Sequence, residues 1–91
     1  MAIYIPNIFS PNGDGVNDAV EVTAYGLSTY SWAVFTRYGE KVFETNDPDA
    51  VWDGTHRGKA LDPGVFVVHL QYVNLESGAE GQIVRDVTLV R

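Results

Sequence analysis

The chain has 91 residues, enough for one small domain that buries roughly 60–65% of its unfolded surface and leaves no room for a second. Hydrophobic residues at 45% and charged residues at 20% are proportions of a folded chain, not a disordered one. Six basic against twelve acidic side chains give a net charge of -6, which disfavours nucleic acid and anionic lipid as partners, and the absence of cysteine removes disulfides, thiolate metal sites and a cysteine nucleophile.

No apolar run approaches the ~20 residues needed to cross a bilayer, and Met1-Ala2-Ile3-Tyr4 lacks the charged-then-apolar start of a signal peptide. An export address, if there is one, lies elsewhere in a larger parent. Ala2 to Ile5 reads as a short strand, ended by Pro6. A polar loop follows from Ser10 to Asp18. Val20 and Val22 alternate with Glu21 and Thr23, as on a strand with one apolar face, and Gly26 closes it.

Tyr30 to Arg37 is β-branched and aromatic, Tyr38-Gly39-Glu40-Lys41 is a tight turn, and Val42-Phe43-Glu44 returns as the hairpin partner. The clearest strand runs from Gly64 to Val73, with Phe66, Val68, Leu70 and Tyr72 on one face and His69 and Gln71 on the other. It is the expected central core strand. Glu76 to Gly81 is a turn and Ile83 to Val90 a last strand, giving six or seven strands in an all-β sandwich without repeats or linkers.

Asn12-Gly13-Asp14-Gly15-Val16-Asn17-Asp18 packs oxygen-bearing side chains between glycines, the material a hard cation such as calcium requires. Aligned with a twelve-residue calcium loop from Ser10, Asn12 falls at position three, Asp14 at five, Gly15 at six, Asp18 at nine and Glu21 at twelve. Position one is the neutral Ser10, and no helices flank the loop. The candidate ligands are Asn12, Asp14, Asn17, Asp18 and Glu21; the competing reading makes these residues consecutive Asx and glycine turns.

Trp52-Asp53-Gly54-Thr55, followed by Gly58-Lys59, is the second dense cluster. Trp52 reads as a core or rim aromatic with Asp53-Gly54 as a turn; the functional rival gives Trp32, Trp52 and several tyrosines to sugar stacking. Catalysis is not expected. His56 lies near Asp53 and serines are scattered, but nothing fixes a nucleophile, a base and its orienting partner.

Taken in order, Pro6-Asn7-Ile8-Phe9-Ser10-Pro11-Asn12-Gly13-Asp14-Gly15-Val16-Asn17-Asp18, Arg37-Tyr38-Gly39 with Val42-Phe43, Trp52-Asp53-Gly54-Thr55 with Gly58-Lys59, Gly64-Val65-Phe66 and Val87-Thr88-Leu89-Val90-Arg91 resemble the gliding-motility-associated C-terminal domain. That family is the type B sorting domain of the type IX secretion system. The resemblance covers essentially the whole chain, with departures at Thr36 and Tyr38, where the family has asparagine and tryptophan, at the reversed Asp62-Pro63, and at Val20, where an aromatic is common.

It implies an immunoglobulin-like antiparallel β-sandwich of about seven strands at the end of a large exported protein, with Gly39, Trp52, Asp53, Gly54 and Gly64 as structural motif residues. The implied function is a non-catalytic sorting module, covalently attached to an N-terminal cargo. It passes through the periplasm and is read by translocon components at the outer membrane on the way to the cell surface or medium, without inserting in the membrane itself. Arg37, Lys41, Arg57, Lys59, Arg85 and Arg91 are the cations available to pair with acidic partner groups. The alternatives are a surface adhesion or carbohydrate-binding module and a passive spacer.

Overall fold

The computed structural model describes residues 2–11, 13, 18–47 and 49–90. Among these are nine strands and no helix: β1 (Ala2–Tyr4), β2 (Ile8–Phe9), β3 (Thr23–Tyr25), β4 (Leu27–Thr36), β5 (Lys41–Thr45), β6 (Thr55–His56), β7 (Lys59–Ala60), β8 (Gly64–Asn74) and β9 (Glu80–Leu89). The main sheet has five strands in the order β2-β9-β8-β4-β5, while β1 pairs with β3 and β6 with β7 in two smaller sheets. The all-β sandwich is as expected, but the strands number nine, and β2 lies parallel to β9 in an otherwise antiparallel architecture.

β8 occupies the centre of the main sheet because alternation makes one of its faces fully apolar. Phe66, Val68 and Leu70 stand opposite Thr36, Val34 and Trp32 of β4 on one side and Val87, Arg85 and Ile83 of β9 on the other. Opposed residues share a face, and on it Phe66, Val68, Leu70, Val34, Trp32 and Val87 form the floor of the core, while Arg85 on the same face is exposed. The second layer supplies Val20, Val22 and Trp52, with Ile3 packed against them, and Phe9 enters from β2. The shortest molecular dimension, 20 Å, fits two such layers spaced about 10 Å apart plus their outer side chains.

Local chemistry sets the connections. The Thr36 hydroxyl accepts hydrogen bonds from Tyr38 N (3.3 Å) and Glu40 N (3.2 Å), which caps the β4–β5 turn. The register of β5 shifts after Phe43, so that Phe43 opposes Val34 and Lys41 opposes Phe35 with Val42 as the extra residue. This bulge turns Val42 to the core and leaves Phe43 on Trp32, ring centroids 5.1 Å apart. Between β8 and β9 the Asn74 carboxamide oxygen accepts Glu76 N (2.9 Å) and Ser77 N (3.2 Å), an Asx-type turn.

Three expectations change. The element at Val20 to Thr23 is not one strand: both valines are buried with Glu21 exposed between them, but Val20 pairs only with Trp52, and the ladder starts at Thr23 opposite Tyr4. β9 begins at Glu80, not Ile83, because Gly81 is a strand residue lying under the Tyr72 ring; a Cβ there would sit 2.5 Å from Tyr72 Cζ. β2, β6 and β7 have no counterpart among the expected strands, since two-residue pairings carry no periodicity.

Trp52 is 1% exposed and lies between Phe9 (centroids 5.3 Å) and Phe66 (5.1 Å). Trp52→Ala is expected to cost about 3–5 kcal/mol in urea unfolding, most of what a domain of this size possesses. Trp52→Phe is expected to cost far less, about 1–2 kcal/mol, from lost contact area and the indole hydrogen bond.

Candidate functional site

Of the candidate cation ligands, Asn12, Asp14 and Asn17 lie outside the described residues, as does Arg91 among the candidate partner contacts. Asp18 Oδ1 accepts the Gly13 N–H at 3.1 Å, so this carboxylate folds the chain back across the loop. Glu21 is on the solvent side of the Val20–Val22 segment. Among the described residues no three acidic or histidine side chains are grouped to hold a metal ion.

The tryptophan motif is a structural clasp. Trp52 and Val20 exchange both backbone hydrogen bonds, at 2.7 and 3.0 Å, and the indole Nε1 donates to Thr55 O at 2.9 Å. Asp53 Oδ1 accepts from Thr55 N (3.1 Å) and Thr55 Oγ1 (2.6 Å). Gly54 is buried at φ 85°, where a side chain would be strained, and its carbonyl accepts Leu61 N at 2.9 Å. Gly39, at φ 94°, serves the β4–β5 turn, and Gly64 opens β8 opposite Leu89.

Neither tryptophan offers a stacking face: Trp32 is 3% exposed and Trp52 1%. The exposed aromatics are instead Tyr4 and Tyr25, on the outer side of the β1–β3 ladder, and Tyr38 at the β4–β5 turn. Composition gives no hint of which aromatics face outward; strand register does. His56 Nδ1 lies 3.1 Å from Val42 O and His69 Nε2 2.8 Å from Gln82 Oε1, so neither imidazole is set beside a serine or a carboxylate through these nitrogens.

The basic residues are sorted by the fold. The His56–Val42 contact seats the β6–β7 hairpin against the start of β5, and Lys41 and Arg57 are each one residue from that contact. Arg37 lies in the neighbouring β4–β5 turn, with its guanidinium 5.2 Å from the Tyr38 ring centroid and Nη2 donating to the Tyr38 hydroxyl at 3.1 Å. Lys41 Nζ pairs with Glu44 Oε2 at 3.0 Å, a surface bridge worth about 0–1 kcal/mol. Among the described residues Arg57 and Lys59, at the hairpin, have no ion pair. Four cations separated by up to 22 positions in sequence, Arg37 to Lys59, are thus carried on adjoining segments, the β4–β5 turn, the start of β5 and the β6–β7 hairpin, a basic corner of the fold. Arg85 stands apart on β9.

Arg57 also has an unusual backbone. Arg57 and Gly58 form the two-residue loop between His56 and Lys59, at φ 54° and 79°, the signs of a type I′ hairpin turn. Asparagine or glycine ordinarily occupies the first position; arginine there costs about 1–2 kcal/mol.

The type IX secretion signal domain model (CHU_C) matches residues 3–84. The chain belongs to the type IX secretion signal domain family. The match runs from β1 into the middle of β9, taking in the oxygen-rich loop, the tryptophan clasp and the basic corner; the closing Val87–Arg91 motif lies beyond it. Comparison with curated proteins and with solved structures gave no match. As a type IX secretion signal domain, the chain has a sorting role, which implies interaction with that secretion machinery and export toward the cell surface or beyond.

The clasp predicts a cost at its one buried glycine. Gly54→Ala is expected to lower stability by about 1–2 kcal/mol in chemical denaturation, from the positive φ. The analogous Gly→Ala change at an extended, exposed position would be near neutral.

Proposed function

We propose that this domain is a non-catalytic sorting module that carries a covalently attached N-terminal cargo through the type IX translocon to the cell surface or medium. Family membership over residues 3–84 carries the reading. The translocon reads the folded domain after it has crossed the inner membrane, and the corner formed by Arg37, Lys41, Arg57 and Lys59 docks onto acidic groups of the machinery. Arg57, strained, exposed and without an ion pair among the described residues, supports that choice, because turn chemistry alone favours asparagine or glycine in its place.

Two experiments separate the sorting role from the docking contact. Fused to an exported reporter in a secretion-competent host, residues 1–91 are expected to deliver the reporter to the surface or medium; retention in the periplasm rejects the sorting role. Arg57→Asn, which suits the turn better, is expected to raise folding stability by about 0.5–1 kcal/mol while lowering export several-fold, more so with Lys59→Gln. Unchanged export by a stable double variant rejects the basic corner and leaves the sorting role standing.

For the loop before Val20 we propose a calcium ion held by Asn12, Asp14, Asn17, Asp18 and Glu21, which stiffens the fold and does not contact the translocon. The loop's oxygen content supports it. With calcium at about 100 times its dissociation constant, the domain gains about 2.7 kcal/mol over its chelated form. That corresponds to a rise in melting midpoint on the order of 10 °C. Equal midpoints with calcium and with chelator remove the ion and leave plain turns.

A further inference from the structure

We propose that Arg85 closes the open edge of β9 and thereby keeps two copies of this chain from pairing strand to strand. Thr88 N donates to Asn7 O and Val90 N to Phe9 O, both at 2.9 Å, so these amides point away from β8 toward β2. Successive residues of a strand point their amides to opposite neighbours. Gln82, Val84 and Asp86 therefore also turn their N–H and C=O groups away from β8. β2 covers only Thr88 and Leu89, and among the described residues no other strand faces this run.

The run is well suited to recruiting a strand. It is extended, β-branched at Ile83, Val84 and Val87, and Val84 is 55% exposed. The opposite edge of the sheet is a poorer template. β5 has five residues, is interrupted by the Val42 bulge, and its Val42 carbonyl is met by His56.

Arg85 opposes the fully buried Val68, in step with Ile83 opposite Leu70 and Val87 opposite Phe66. Its Cβ therefore starts on the core side of the sheet, yet the residue is exposed. The side chain leaves across the strand, and Nη1 donates to Val84 O at 3.0 Å. That carbonyl is one of the outward-facing acceptors, at the middle of the open run. An incoming strand has to break this bond and desolvate the guanidinium. A second copy pairing symmetrically about Val84 would set Ile83 of each chain opposite Arg85 of the other, leaving both charges against apolar surface.

Arg85→Val tests the proposal. Light scattering is expected to show a monomer for the unaltered domain and a doubled mass for the variant at matched concentration. Exchange of the Gln82, Val84 and Asp86 amides should slow at least tenfold in the variant, in a concentration-dependent way. Adding Val84→Lys, which sets two lysines face to face at the centre of the symmetric pair, should restore the monomer. A folded Arg85→Val variant that stays monomeric, an unaltered domain that already pairs through β9, or a dimer that survives Val84→Lys each overturns the proposal.

Discussion

The structure depends on how Trp52 is held. Its main chain is bonded to Val20 in both directions, its ring lies between Phe9 and Phe66, and its indole N–H reaches Thr55. One residue thereby ties the first turn of the chain, the crossover after β5 and the central strand β8, in a domain without cysteine. Both regions with a proposed task hang from it. The oxygen-rich loop runs between Phe9 and Val20, whose side chains are buried and which each meet Trp52; the basic hairpin begins at Thr55, the acceptor of the indole. The clasp is thus a packing device with functional reach: it fixes where the loop starts and ends and where Arg57 is presented.

The legible parts of the fold were those written in periodic side chains. Phe66, Val68 and Leu70 alternate with His69 and Gln71, and the structure puts the first set in the core and makes β8 the middle strand. The β4–β5 hairpin was readable from Gly39 and the β-branched runs beside it. What stayed hidden is set by tertiary contacts. Ile8–Phe9 is a strand only because Thr88 and Val90 donate to its neighbourhood, and Gly81 is a strand residue because Tyr72 takes the space its missing side chain leaves. Val20 and Val22 show the limit from the other side: period two gave their burial correctly, but the continuous strand it implied is a single bridge from Val20 to Trp52.

The candidate site was legible in kind but not in place. Residue type marks Trp52, Asp53 and Gly54 as a unit, and geometry explains the unit: Asp53 turns the chain through Thr55 while Gly54 supplies the buried positive φ. The sugar-stacking role for Trp32 and Trp52 required exposure, which residue type does not determine, and both indoles are inside. The basic corner was invisible for a different reason. Arg37 and Lys59 are far apart in sequence, and the seating of His56 on Val42 is a tertiary contact that sets the β6–β7 hairpin against the start of β5, next to the turn that carries Arg37.

Charge and edges complete the physical picture. The chain carries a net charge of -6, so a local group of cations stands out against an acidic body. At physiological ionic strength the screening length is about 8 Å, and such a corner is felt at short range by a docking partner while the whole molecule stays repelled from anionic surfaces. The two long sides of the main sheet differ in build: the β5 side is bulged and met by the β6–β7 hairpin, and the β9 side has the Arg85 guanidinium laid on the Val84 carbonyl. The same residue type is held out at a strained turn in Arg57 and laid back along the backbone in Arg85, and that difference in placement is why the two proposals give arginine opposite roles in association.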